Sequence, residues 1–309
     1  MKLLTYSVEK NPFRVGILIN QNKVIDPQLV LKEKLKHEVP YSYKEIAETL
    51  LPEDPIKFIS NGEYSMNAAQ EAINYSLENN LEKGIFNLNE VTLGPPVLRP
   101  NKIVCVGLNY ADHIREMNRD LPKFPVIFAK YSGALNGPYA PFIYKEPLTE
   151  KLDYEGELAV IIGKKARNVS EESALDYVVG YTVSNDITAR DMQKRTIQWL
   201  QGKTLEGSLP IGPWLVTKDE IVDPHNLDIQ LYVNGELRQK SNTKNFVFDV
   251  NYLVSFLSEI ITLEPGDIIC TGTPGGVGEA QNKFLRDKDI VRVDISGIGT
   301  IENQIKVQK

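Results

Sequence analysis

Short apolar runs of period two, separated by Gly, Pro and Asn clusters, dominate this chain. KLLTYSV and FRVGILIN alternate like strands about a turn at Asn11-Pro12. Residues 43–51 and 67–77 read as helices, the first stopped by Pro52, and NEVTL reads as a further strand. GPPVLRPN, 94–101, holds three prolines and a glycine and is the best domain boundary. It divides a small α+β unit, 1–98, from a larger one, 99–309. In the larger unit the strand candidates are KIVCVG, VIFAK, ELAVIIG, VVGYTVSND, LDIQLYVNG, DIICTG and IVRVDI. Helices are fewer there: 111–117, 170–177, 189–199 and 250–260. Regular βαβ alternation is missing, so the expected class is a β-dominated α+β fold rather than a doubly wound parallel sheet.

Composition narrows the partners. The 309 residues can bury a large core, and 41 acidic against 35 basic residues leave a charge of −6 spread along the chain. That disfavours nucleic acid or an anionic membrane as the main partner. Cys105 and Cys270 each lie in an apolar run, which suits buried thiols in a reducing cytoplasm. No signal-like segment or membrane-length apolar run is present, so a cytoplasmic protein acting on small molecules is expected.

The candidate chemistry starts at DYEGELAV. Side chains at i and i+2 of a strand share a face, so Glu155 and Glu157 stand side by side ahead of a buried run. A lone ExE strand is more often a solvated edge than a ligand pair. Asp186, ending YTVSND, supplies a third carboxylate, and three oxygens from two strand ends suit Mg²⁺ or Mn²⁺. A cation among them would turn repulsion into shared attraction. Zinc is disfavoured, because no Cys/His cluster has its spacing.

Arg190 and Gln193 fall at i and i+3 if ITARDMQKR opens a helix, where Arg190 can grip a carboxylate or simply pair with a nearby acid. His113 and Glu116 share a face of a second helix, and a carboxylate-oriented imidazole can move a proton near neutral pH. His37 and His225 lie in polar, turn-like surroundings, and Asp112 reads as a first-turn acid. Lys203 is either a solvated lysine or a partner for a developing oxyanion. TGTPGGVG, 271–278, lacks the order of a phosphate or dinucleotide loop but can bring backbone N–H groups and the Thr273 hydroxyl to an anion.

In combination and order, VGLNYADHIREM, LDYEGELAVIIG, GYTVSNDITARDMQ, GK…PIGPW, LEPGDIICTGTPGGVG and GIGTIENQI resemble the fumarylacetoacetate hydrolase family. The match runs from about residue 99 to the C-terminus. The first hundred residues are similar to the smaller, variable domain of longer members. The resemblance implies a layered β-roll, usually a homodimer, with Mg²⁺, Mn²⁺ or Ca²⁺ held by Glu155, Glu157 and Asp186. It implies a His113–Glu116 pair on a segment that orders as a lid, and substrate contacts from Arg190, Gln193, Lys203 and Thr273. Lys130, closing VIFAK, joins these as a substrate-binding candidate. The chain departs from the family pattern at Thr204 and Glu206, where many members read S-x-D, and at Tyr131, so the substrate's identity stays open.

The implied activity is cleavage of a C–C bond in a 2,4-dioxo acid (an acylpyruvate or fumarylpyruvate). The metal chelates the 2-oxo acid, His113 and Glu116 activate water, and Lys203 stabilises the oxyanion. The alternative on the same site is decarboxylation of oxaloacetate or keto–enol tautomerisation. From other classes, a silent metabolite-binding protein would need no water-activating pair, and a dehydrogenase rests only on VGLNY after a strand.

Overall fold

The computed structural model describes residues 1–116 and 120–308. Its class is α+β and β-dominated, as expected. The central sheet has twelve strands, and its main path begins at one edge with Ile85–Asn87, Lys23–Ile25, Arg14–Ile19 and Lys2–Ser7. It continues through Leu209–Thr217, Val178–Asn185, Gly156–Ile162, Ile268–Cys270, Ile103–Gly107 and Val126–Lys130. A five-stranded sheet, in the order Glu236–Asn242, Asp228–Val233, Ile290–Ile295, Gly299–Gln308 and Phe142–Lys145, lies against one face.

The strand Gly156–Ile162 is buried along its whole length, which accounts for its unbroken apolar run. Leu158, Val160 and Ile162 face a core shared with Leu231, Val291 and Val293 of the smaller sheet. Ala159 and Ile161 face the opposite core, shared with Val30, Phe58 and Ala69 of the N-terminal helices. Strand alternation puts Glu155 and Glu157 on this second side. Gly156 points the other way, where an added Cβ would stand 3.0 Å from Val293 and 3.3 Å from Leu231.

The sheet is continuous across 94–101. Lys2 and Leu3 pair with Val216 and Leu215, and Thr5 to Ser7 pair with Thr92 to Gly94. The N-terminal residues therefore share a sheet and a core with the rest of the chain. The structure adds Leu209–Thr217 as a nine-residue strand that is not among those expected from the sequence. Pro210, Gly212 and Pro213 argue locally against it. The ladder accommodates them by shifting register between Tyr181 and Val183, and burial on both faces supplies the stabilisation that propensity withholds.

The predicted helix 43–51 is present as Tyr43–Leu50, and 67–77 begins earlier, at Glu63. Within residues 1–98 two further helices form that the sequence did not suggest, Pro27–Glu38 and Pro55–Ser60. Each starts with a proline after an N-capping aspartate, Asp26 and Asp54, whose carboxylates accept backbone N–H bonds of the first turn. The segment 170–177 is a 3₁₀ helix, Glu171–Tyr177. Helix 111–117 is observed as Ala111–Glu116, and its last predicted residue lies outside the described residues. Helix 189–199 is not continuous: Arg190–Lys194 ends early, and a second short helix, Leu200–Lys203, doubles back onto it.

Val250–Ile260 forms as expected, with Asp249 capping Tyr252 N–H, and packs Leu253, Val254 and Leu257 into the core between the sheets. Leu257→Ala is expected to cost about 2–5 kcal/mol, because Leu257 is fully buried and a packed core relaxes only partly into the cavity left behind. Urea denaturation checks this. A midpoint unchanged from the parent protein would show that the helix does not hold this core.

Candidate functional site

The site forms where two central strands end together. Gly156 pairs with Asn185, and the Asp186 N–H donates to the Glu155 carbonyl at 2.8 Å. Backbone pairing thus places Asp186 beside the glutamates, and one oxygen from each of the three carboxylates lies within 4.8 Å of the others. All three are buried, so the solvated-edge reading of the ExE pair does not hold.

Three cations close around two of these acids. Lys203 Nζ reaches Glu155 Oε2 at 2.6 Å and Asp186 Oδ2 at 2.9 Å. Lys130 Nζ holds Asp186 Oδ1 at 2.7 Å. Arg190 bridges Glu155 Oε1 at 2.7 Å and Asp153 Oδ2 at 2.8 Å, and donates to Gln193 Oε1 at 3.2 Å. Lys203 is only 2% exposed, which excludes a solvated lysine. Burial alone would raise the Glu155 carboxyl, but Lys203 and Arg190 outweigh it and hold it well below the usual carboxylate range.

Glu157 differs. Its one hydrogen bond to the glycine loop is from Gly272 N–H at 3.0 Å, and no cation pairs with it among the described residues. Burial, with Cys270, Asp186 and Glu155 adding to it, pushes its carboxyl well above the ordinary range. A buried carboxylate facing two others, without a cationic partner, is what a divalent ion would satisfy. The hard oxygen donor set fits Mg²⁺ or Mn²⁺. Gly272 makes the loop's approach possible: its φ is +97°, and a Cβ there would lie 2.8 Å from the Val106 carbonyl.

The remaining predicted residues gather around a cleft of about 90 Å³ lined by His113, Glu155, Arg190, Gln193, Lys203 and Thr273, among others. His113 Nδ1 stands 3.5 Å from Glu116 Oε2, and Glu116 also accepts the Gly276 N–H at 3.0 Å. The hydrogen bond to His113 is the chief cause holding the Glu116 carboxyl below its usual range. Arg190 and Gln193 share their helix face as predicted, but Arg190 pairs with Asp153 and Glu155 rather than with Asp186. Its Nη2 is buried without a protein partner. Lys130 does not line the cleft, and its ammonium lies behind Asp186. The Thr273 hydroxyl donates to the Gly156 carbonyl at 3.0 Å and accepts from Gln239 at 2.8 Å. Tyr131 and Thr204 meet each other, N–H to hydroxyl at 2.9 Å, and neither lines the cleft.

Two structural supports had weak or absent signals in sequence. Asp153, within the ExE stretch itself, takes Arg190 on one oxygen and the N–H groups of Gly278 and Glu279, tying strand to glycine loop. Gln239 comes from the other sheet. Its amide accepts from Gly156 N–H at 3.0 Å and donates to Thr273 Oγ1 and Pro274 O. No local pattern marks it, since its partners lie 34 or more positions away. Gly202 also matters, because a Cβ there would lie 2.4 Å from Ala189 O and Gln193 N. The two short helices that carry Arg190 and Lys203 can pack only across a glycine.

Residues 102–306 match the family described as Fumarylacetoacetate (FAA) hydrolase C-terminal, and the chain belongs to that family. It is similar to Oxaloacetate tautomerase YisK of Bacillus subtilis (strain 168), 40% identical over 312 residues, covering 99% of this chain and 100% of that one. It is 43% identical to the mitochondrial oxaloacetate tautomerase Fahd2a of Rattus norvegicus over 258 residues, 82% of this chain and 80% of the relative. A solved structure of similar fold is maleylpyruvate hydrolase from Sphingobium sp. SYK-6 in complex with manganese(II) ion and pyruvate. Its TM-score is 0.75 at 29% identity, with both chains covered in full. The protein is an enzyme of this family with the same layered β-rich fold. No helix among the described residues is long and apolar enough to cross a membrane.

Glu157→Gln is expected to weaken Mn²⁺ binding by at least about tenfold, since it removes an anionic donor and leaves a neutral amide among buried acids. Calorimetric titration measures this, and undiminished affinity would remove Glu157 from the ligand set.

Proposed function

We propose that the protein is a divalent-metal-dependent tautomerase that interconverts the enol and keto forms of oxaloacetate or a closely similar 2-oxo diacid. The observation that carries this reading is the end-to-end match, at 40% identity, to a relative named an oxaloacetate tautomerase. The chemistry of the cleft agrees with it. Glu155, Glu157 and Asp186 would hold Mg²⁺ or Mn²⁺. An ion held there would supply Lewis-acid polarisation of the 2-oxo carbonyl and of the charge developing on it.

The chain's own groups do the rest. Arg190, through its unpartnered Nη2, and Gln193 bind a substrate carboxylate. Lys203 spends two of its three N–H groups on Glu155 and Asp186, leaving one for the developing enolate oxygen. His113 is the one histidine lining the cleft, and it takes the proton from C3 and returns a proton at the C2 oxygen. Nothing is added to or lost from the substrate. Glu116 orients the imidazole and is itself held by Gly276 N–H.

Hydrolysis of an acylpyruvate is the second reading, favoured specifically by the carboxylate beside His113, which suits activation of water. A structural relative of this fold is named maleylpyruvate hydrolase. Decarboxylation of oxaloacetate needs only the ion and a bound 2-oxo acid.

Stopped-flow decay of the oxaloacetate enol's ultraviolet absorbance, run with release assays for CO₂ and for pyruvate from acylpyruvates, separates the three. The expected result is fast enol loss with slower CO₂ release and no acylpyruvate cleavage. An enol lifetime equal to that in buffer would overturn the tautomerase reading. His113→Ala is expected to lower the rate by about 10²–10⁴-fold. Glu116→Ala should slow tautomerisation less than it would slow a water-activating hydrolase, so an equally large loss in both variants would favour hydrolysis. Chelation with EDTA should return the enol lifetime to that in buffer, and Mn²⁺ or Mg²⁺ should shorten it again. Full activity in the chelated enzyme would exclude a metal role.

A further inference from the structure

The cleft is lined by two kinds of side chain. Its lining joins polar groups, Glu155, Arg190, Gln193 and Lys203 among them, to the apolar Val106, Leu108, Phe128 and Trp199. Trp199 precedes the short helix Leu200–Lys203 and stands four positions before Lys203, so indole and ammonium project from the same face. Phe128 fits between them. Lys203 Nζ lies 5.1 Å from its ring centroid, and the Trp199 ring meets it edge-on at 5.5 Å and 67°. The indole therefore stands one aromatic ring beyond the ammonium that touches the acidic triad.

This wall has little freedom to retreat. The indole packs against Gly107, so closely that a Cβ there would lie 2.7 Å from Trp199 Cζ3. Next to it Leu108, also lining the cleft, holds a left-handed backbone with φ 56°, a conformation that a branched side chain adopts only at a cost. At about 90 Å³ the cleft is small, which favours a short 2-oxo diacid over a long-tailed one.

We propose that Trp199 is the specificity-determining residue of this cleft. It closes the cleft at the length of a four-carbon 2-oxo diacid and rejects longer homologues, because a longer tail must displace an indole packed against Phe128 and Gly107. The inference rests on the reading of the substrate as an oxaloacetate-like acid, and extends it by naming what sets the size limit. One methylene too many against a fixed apolar wall costs about 10–200-fold in discrimination.

The test is calorimetric binding of four-, five- and six-carbon 2-oxo diacids to the Mn²⁺-loaded protein. It compares the wild type with Trp199→Leu and the milder Trp199→Phe, each with a thermal melt to show that it folds. Wild type is expected to prefer the four-carbon over the six-carbon acid by about tenfold or more. Trp199→Leu should bring that ratio towards one, with Trp199→Phe in between. A wild type that binds all three acids equally, or a ratio unchanged in whichever variant melts cooperatively, overturns the proposal. A clear length preference in a wild type that leaves the enol lifetime unchanged would instead support the wall and defeat the tautomerase reading.

Discussion

Four carboxylates and three cations are buried together at one end of a sheet, and the local structure is organised around keeping that cluster paired. Asp153, Glu155, Glu157 and Asp186 face Lys130, Arg190 and Lys203, with none of the seven more than 7% exposed. Burying charge is costly unless each group finds a partner, and removing one partner leaves another stranded. The pairings share the cations economically. Arg190 spans Asp153 and Glu155, Lys203 spans Glu155 and Asp186, and Lys130 takes the far side of Asp186. Glu157 is the acid left over, one carboxyl without a cationic partner among the described residues, and with Glu155 and Asp186 it forms a set that could hold a divalent ion.

Rigid surroundings make this arrangement possible. The strand that carries the glutamates is covered on both faces, by the smaller sheet and by the N-terminal helices. The three carboxylates therefore hang from a backbone that packing immobilises. The cations come from less regular structure, two short helices and a strand end. Gln239 and Asp153 then fasten the glycine loop to the strand from opposite sides. A site on loops alone would need the same distances without this support, and small errors in placement are expensive in catalysis.

The donor set does not by itself select one reaction. An ion on three carboxylates, an ammonium and an imidazole can serve proton transfer, hydrolysis or decarboxylation of a 2-oxo acid, because each passes through an enolate-like charge at the same carbonyl. On the reading proposed above, selection among them depends on whether water stands opposite His113 and on how long a tail the cleft admits.

Residue order alone carried much of this. The apolar period located the strands of the larger unit, and the pair Glu155 and Glu157 with Asp186 was legible because strand alternation is a local rule. Arg190 with Gln193 and His113 with Glu116 were legible for the same reason, through helical spacing. Tertiary structure decided what local rules cannot express. The proline-bearing strand Leu209–Thr217 forms because both its neighbours bury it, and the helix expected at 189–199 breaks so that Gly202 can meet Gln193. Lys130 stands behind Asp186 and Gln239 reaches in from another sheet, contacts spanning tens of residues in sequence. Such contacts depend on how layers pack, and a one-dimensional pattern contains the periods of the layers but not their juxtaposition.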